Sequence, residues 1–482
     1  LGGIDMYRST DGGDNFSIIA AWVRNLSSPC NNYLHADHHT AIFRPGNPNE
    51  VVFGNDGGVA FSPNAGDKTA TPTFADHVTG YITSQFYSCD ISPVTGAKEY
   101  LGGLQDNGSN EWDASNMNNT VEVTGGDGGI AHIDQNNGQI QITSTTHNDY
   151  SYTTDEWATK SRISGGNRKG QFINPTDYDD TNKILYGGDD ADKLGRATGF
   201  GAAGASLTPG ISVSGAALGG MKATSIKVDP NVPTTIYVGN NNGKVYKILN
   251  ANSGTLSSTD ISPTAAQAPP GTFVSSIDVQ IGNSNHMLMT LSNFGVKSVY
   301  ESIDGGSSWI DIENNLPNIP VRRGIFNPAN GDQVLLGTDL GIWTTDDING
   351  TSTRWEATNS GLANVRVDMI KYRTSDNTFV AGTHGRGLFI GTIGSSNDPC
   401  TTTGTKDVIQ TDIAANATFH NGNITSGAMG SGKVNVNANN VTFKGVSSVT
   451  LNSEFEVTNP NVFEAKIEPC PTNFTEDNIK NK

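Results

Sequence analysis

The chain has 482 residues with 57 glycines, only 16% charged side chains and a formal net charge of −18 at pH 7. That acidity argues against nucleic acid or an anionic membrane surface as partner and fits a surface that attracts cations. There is no run of 18 apolar residues, so nothing in the sequence reads as a membrane span.

From residue 49 the chain reads NEVVFGNDGGVAFSPNAG: a strand at Val51–Gly54, a tight Asn-Asp-Gly-Gly connection, and a second strand at Val59–Ser62. The same pattern recurs as EYLGGLQDNGSNEW, KILYGGDDADKLGRAT, TIYVGNNNGKVYKI, QVLLGTDLGIWTTD and TFVAGTHGRGLFIG, with weaker copies from Gln139 and His286. The strand ends Gly54, Gly102, Thr143, Gly187, Gly239, Leu291, Gly337 and Gly382 are about 40–52 residues apart, a period that signals a β-propeller. Another strand-like run precedes each copy, such as TAIFRPGNP or TSIKVDPNVP, and gives each unit strands A, B and C with a further segment D. The expected fold is all-β: a large β-propeller of about eight four-stranded blades over 1–393, then a linker over 394–406, a small C-terminal β module over 407–470, and a flexible tail over 471–482.

Residues 1–22 supply C and D strands without A and B. They are expected either to complete the blade of Val367–Ile390 or to follow blades that precede Leu1, so the N-terminus reads as processed or incomplete. Cys400 and Cys470 bracket the C-terminal region and are expected to pair, which leaves Cys30 with Cys89.

Ser9–Phe16 (STDGGDNF) and Ser302–Trp309 (SIDGGSSW) share the pattern S-x-D-x-G-x-x-W/F, with degenerate copies at Ser62–Gly66 and Thr153–Trp157. Asp11 and Asp304 can bond backbone N–H groups within a C-to-D turn, glycine supplies the positive φ, and the aromatic wedges between blades. On these motifs the chain resembles the Asp-box (BNR-repeat) propellers: sialidases, sortilin-type domains and two-propeller xyloglucanases. The alternating runs after Asp407, such as KVNVNANNVTFKG and NVFEAKIEPC, suggest a solenoid-like module. They resemble the segment before the sorting signal of proteins exported by type IX secretion. That likeness implies an extracellular or outer-surface location, with anchoring through a sorting region beyond Lys482.

Strand direction alternates within a blade, so B-to-C and D-to-A connections share one mouth. That mouth should carry Asp56, Asp106, Asp189, Asp190, Asn240, Asn293, Asp339, His384 and Arg386, with His35–His39 (HADHH) and Gly125–Gly129 (GGDGG, containing Asp127) arriving from the D-to-A side. In extended geometry His35, Asp37 and His39 share a side, suited to a transition metal, an acid/base pair or simple loop bonding. Asp56 and Asp127, each before Gly-Gly, read either as turn residues or as carboxylates presented to a ligand. The xyloglucanase likeness implies a catalytic Asp before Gly-Gly, a role that falls on Asp56 and Asp127. A sialidase would need three converging arginines, and the mouth loops offer Arg386 and Arg196.

Two functions fit these residues. The first is an extracellular binding or adhesion propeller that takes glycan or protein at His35, His39, Asp339, His384 and Arg386, with Ca2+ on Asp37, Asp56, Asp106 and Asp127. The second is a glycoside hydrolase that uses two of Asp37, Asp56, Asp106 and Asp127, with Trp112 and Trp343 available to stack on sugar rings.

Overall fold

The computed structural model describes Leu1–Ile393 except residues 24–31, 79, 113–119, 202–203, 360 and 363, and beyond residue 404 only the backbone of the strands named below. The fold is all-β, a β-propeller built of small antiparallel sheets, with one 3-10 turn at Gly350–Ser352.

Seven blades follow one another around the ring. Blade 1 comprises Phe86–Ile91, Tyr100–Leu104, Ser109–Trp112 and Val121–Thr124; blade 2 comprises Ala131–Ile133, Gln141–Ser144, Tyr150–Thr153 and Ser161–Arg162. Blade 3 is Thr176–Asp179, Ile184–Gly188, Lys193–Thr198 and Ser206–Gly215, and blade 4 is Ala223–Val228, Ile236–Asn240, Val245–Ile248 and Leu256–Asp260. Blade 5 runs through Val274–Val279, Met287–Leu291, Val299–Ser302 and Ile310–Asp311, and blade 6 through Val321–Asn327, Asn330–Thr338, Gly341–Thr345 and Glu356–Ala357. Blade 7, Val367–Arg373, Thr378–Thr383 and Leu388–Thr392, is three-stranded among the described residues. Its inner strand lies against that of blade 1, which closes the ring.

Blades are laced together by side chains of their innermost strands. The carboxylates of Asp90, Asp177 and Asp278 accept the N–H of Ile133, Val228 and Phe326, in each case from the following blade. Their charge is balanced on the axis by Lys227, Arg323 and Lys371, with Lys227 Nζ 3.0 Å from Asp278 and Lys371 Nζ 3.8 Å from Asp90. Burial opposes ionisation of Asp177, but Lys227 and Lys371 hold it below the usual range. Burial, reinforced by Lys371, pushes His132 down to about 3, so the axial imidazole stays neutral.

The N-terminal segment stands apart from the ring. Met6–Arg8 pairs with Ser17–Ala20, and His38–Arg44, Asn47–Asn55, Gly58–Ser62 and Ala75–Asp76 form a separate four-stranded sheet. Met6, Ile19 and Ala20 pack on Val51, Phe53 and Ala60, so the N-terminal pair stacks on this outlying sheet and does not complete the blade of Val367–Ile390.

The turn motifs close locally. Asp11 Oδ1 accepts the Asn15 N–H at 3.0 Å, Asp304 Oδ1 the Ser308 N–H at 2.8 Å, and Asp155 Oδ1 the Thr159 N–H at 2.8 Å. Trp309 is buried between blades and donates Nε1–H to the Ile261 carbonyl. Cys89 is a free thiol, wholly buried on the innermost strand of blade 1 against Phe86 and Val380. This corrects the Cys30–Cys89 expectation: the position is occupied by core packing. Cys30, Cys400 and Cys470 lie outside the described residues.

Beyond the linker, Thr405–Val408, Thr418–Ser426, Val441–Leu451 and Phe463–Ile467 form one parallel sheet, and Asp412–Ile413, Val434–Val436 and Phe455–Val457 form another. Successive strands alternate between the two sheets, which is the winding of a short parallel solenoid.

Candidate functional site at the mouth between the outlying sheet and blade 1

Three carboxylates of the mouth come together where loops of the outlying sheet meet loops of blade 1. Asp37 and Asp56 come from the former, Asp106 from the latter, and one carboxylate oxygen of each lies within 4.8 Å of the others. Two contacts join the bodies here: His35 Nε2 meets the Asp106 carbonyl at 2.9 Å, and Asn107 Nδ2 donates to the Asp56 carbonyl at 3.1 Å.

Local sequence explains the geometry. Asn55 Oδ1 accepts the Gly57 N–H at 3.0 Å, so the Asn-Asp-Gly-Gly connection is an Asx turn that holds Asp56 at its tip. A Cβ on Gly57 would lie 2.5 Å from the His35 ring, so glycine is what lets the two loops approach. Asp106 sits in the left-handed region at φ 58°, fixed from behind by Asp127, whose Oδ1 accepts the Asp106 N–H at 3.1 Å.

HADHH is not extended: Asp37 has φ 60°, and the strand starts only at His38. That kink turns His35 toward Asp106 and leaves His39 Nε2 2.5 Å from Asp56 Oδ1. Burial, then the neighbouring carboxylates of Asp127 and Asp56, raise the Asp106 carboxyl above the usual carboxylate range. Asp127 spends an oxygen on that backbone bond and stands outside the three-carboxylate group.

The remaining candidates occupy other parts of the rim. Asp339 is clamped by Arg322 through Nε and Nη2 at 2.8 and 3.2 Å, and His384 Nδ1 lies 3.5 Å from Asp368. Arg386 is exposed. Asp189 and Asn240 are buried and bond their own loops, at the Asp190 and Asn242 N–H groups. Arg196 donates to the Ala251 carbonyl. Trp112 is fully buried beside Phe86, which corrects its reading as a sugar platform, and Trp343 packs against the core between blades 5 and 6.

Sequence reasoning missed Tyr87, Gln105, Arg366 and Asp368. Tyr87 donates to Gln105 Oε1 at 3.0 Å and stacks on His384; burial, with Asp127 and Asp106, pushes its hydroxyl up to about 12. Arg366 bonds Asp368, whose carboxyl burial raises. All of these stand on or beside A and B strands, where a polar residue reads as the outward face of a strand. Exposed aromatics also line this side: Tyr81, Phe172 and Phe294 project from D-to-A and B-to-C connections.

No family model matches the chain, and no curated protein does. Among solved structures the chain is similar to the GH74 xyloglucanase from Xanthomonas campestris, with 15% identity and a TM-score of 0.50 over 65% of this chain. The match spans 53% of the xyloglucanase, about half its length, and shows the propeller fold.

Proposed function

We propose that the chain hydrolyses a glycan at the junction of the outlying sheet and blade 1. The observation that carries this reading is the meeting of Asp37, Asp56 and Asp106 within 4.8 Å, with the Asp106 carboxyl held above the usual carboxylate range by burial and like charge. A carboxyl whose proton is held more tightly than usual, beside a second carboxylate, is the kind of pair that glycosidic cleavage uses. Asp106 donates the proton to the leaving oxygen, and Asp56, held by His39, is the carboxylate that attacks or activates water. Tyr81 and the rim aromatics supply apolar faces for sugar rings. Carbohydrate chemistry in a propeller of similar fold supports this class, and a secreted or outer-surface location fits a polysaccharide substrate.

A second reading has its own observation. Three carboxylates with no lysine or arginine bonded to them among the described residues offer oxygen ligands suited to Ca2+, which would make the mouth a glycan- or protein-binding surface without cleavage.

Incubation with a panel of soluble polysaccharides, read as new reducing ends, separates the two. Release that disappears in Asp106→Asn supports hydrolysis; binding without release that requires Ca2+ supports the second reading.

A further inference from the structure

On a chain with a net charge of −18, one part of the mouth gathers cations. Arg168 and Lys169 lie in the connection from blade 2 to blade 3, over 163–175, and Lys222 in the connection from blade 3 to blade 4, over 216–222. Lys193 opens the third strand of blade 3, just after the turn Asp189–Asp192. Strand direction puts both connections and this turn on the same face.

The turn supplies three carboxylates, but two are spent on its own frame. Asp189 accepts the N–H groups of Asp190 and Gly210 at 2.7 and 3.0 Å, and Asp192 Oδ1 accepts those of Leu218 and Gly220 at 2.7 and 2.9 Å. Asp190 is left facing the lysines, with Oδ2 3.2 Å from Lys169 Nζ and Oδ1 3.7 Å from Lys222 Nζ. The Lys169 bond, then the charges of Lys169, Lys222 and Lys193, hold its carboxyl below the usual range. Arg168 is exposed at φ 58° and makes no side-chain bond among the described residues. Each ammonium carries three donors, and Asp190 occupies only part of that capacity.

The cations sit on a fixed frame. Buried Asn148 accepts the N–H groups of Asn167 and Lys169 at 3.1 and 3.2 Å, and Lys222 Nζ donates to the Gly170 carbonyl at 3.1 Å. Gly170 has φ 93°, and a Cβ there would lie 2.2 Å from Asn174 Oδ1, so the bend requires glycine. Phe172 of the same connection is 53% exposed, and its ring meets that of His147 edge-on at 6.0 Å. An aromatic face held beside fixed cations suits a sugar that carries a negative charge.

We propose that this rim of blades 2 to 4 binds an anionic polysaccharide, with a carboxylate or sulfate held by Lys169, Lys222 and Arg168 and a sugar ring lying on Phe172. The proposal names the class of glycan cut at Asp56 and Asp106, and to that extent it rests on that reading. Duplex nucleic acid is the poorer fit, because it presents one charge per about 1.7 Å to a molecule of large negative charge.

The test is titration calorimetry on the Leu1–Lys482 chain carrying Asp106→Asn, so that a bound polymer is not consumed. The probes are polygalacturonate, a sulfated galactan without carboxylates, carboxyl-reduced polygalacturonate and duplex DNA. The proposal expects binding of one or both of the first two, weakened by added salt, and an affinity at least about tenfold lower when Lys169→Gln and Lys222→Gln are added together. Asp190→Asn removes the internal competitor and should tighten binding about threefold or more, an effect that damage to the fold would not produce. Which of the two probes binds separates carboxylate from sulfate. Affinity unchanged by the lysine pair, equal binding of the carboxyl-reduced polymer when no sulfated probe binds, or tighter binding of DNA than of either polysaccharide would overturn the proposal. The two readings fail separately: an acidic polymer bound through the lysines but left intact by the wild type sinks the hydrolase alone, and cleavage of a neutral glycan with no binding of acidic ones sinks this proposal alone.

Discussion

Asp56 and Asp106 belong to different sheet assemblies, fifty residues apart in sequence, and their carboxylates meet within 4.8 Å where loops of those assemblies touch. The contact is made by loops, with His35 on the Asp106 carbonyl and Asn107 on that of Asp56, so the site reports on how the two bodies are set.

That dependence predicts the effect of Gly57→Ala. The added methyl would meet the His35 ring at about the 2.5 Å given by ideal geometry, and the loop must move. The expected outcome is a fall in kcat/KM of tenfold or more with a melting temperature lowered by only a few degrees, since the turn is only half-buried and lies outside the core.

The pH profile follows from the shift at Asp106. Its carboxyl is raised by burial and by Asp127 and Asp56, so the proton needed by the leaving group persists above the usual carboxylate range. Activity is expected to fall as pH rises through that raised value. Asp127→Asn, which removes one like charge while keeping an oxygen for the Asp106 N–H, should move the falling limb to lower pH.

Stability should also depend on pH through Asp180. Burial, aided by Asp134 and Asp90, raises its carboxyl to about 7 in the folded chain, above the unfolded value near 4. A raised folded value contributes stability below the unfolded pKa that is lost as pH rises through the folded one, here between about 4 and 7. Asp180→Asn retains an acceptor for the Gln135 N–H and should stabilise the chain by roughly 1–2 kcal/mol at pH 8 and by little at pH 4, measured by urea unfolding.

The axial charges predict a larger loss. Lys227→Met leaves Asp278 buried without its lysine and Asp177 with only Lys371 and should cost about 3–5 kcal/mol, whereas removing Lys227 and Asp278 together should cost less than the single change.

Much of this fold is legible in the chain. The recurrence of strand, Gly/Asx turn and strand locates all eight units, and the S-x-D-x-G-x-x-W/F turns form the local bonds that their residue types allow. What periodicity cannot show is which units share an axis, because the outlying sheet and blade 6 follow the same strand–turn–strand pattern, yet Ile42 and Val52 are exposed where Ile325 and Leu335 are buried. The site divides in the same way. Asp37, Asp56 and Asp106 stand out as turn residues before glycine or beside histidine, but Asp339 is tied up by Arg322, a strand residue with no motif around it. Asp368 and Tyr87 escape notice for the same reason. Trp112 misleads because an aromatic near a polar turn reads as a platform, although its strand buries it.

The central claim is that Asp106 and Asp56 act together on a glycosidic bond. It is tested most directly by reducing-end release from the polysaccharide panel with the wild-type chain, Asp56→Asn, Asp106→Asn and Asp339→Asn side by side. The account predicts release by the wild type, a loss of at least about 100-fold in each of the first two variants at unchanged melting temperature, and near-normal release by Asp339→Asn. Release that survives in Asp56→Asn and Asp106→Asn, or no release from any polysaccharide by the wild type, would contradict it.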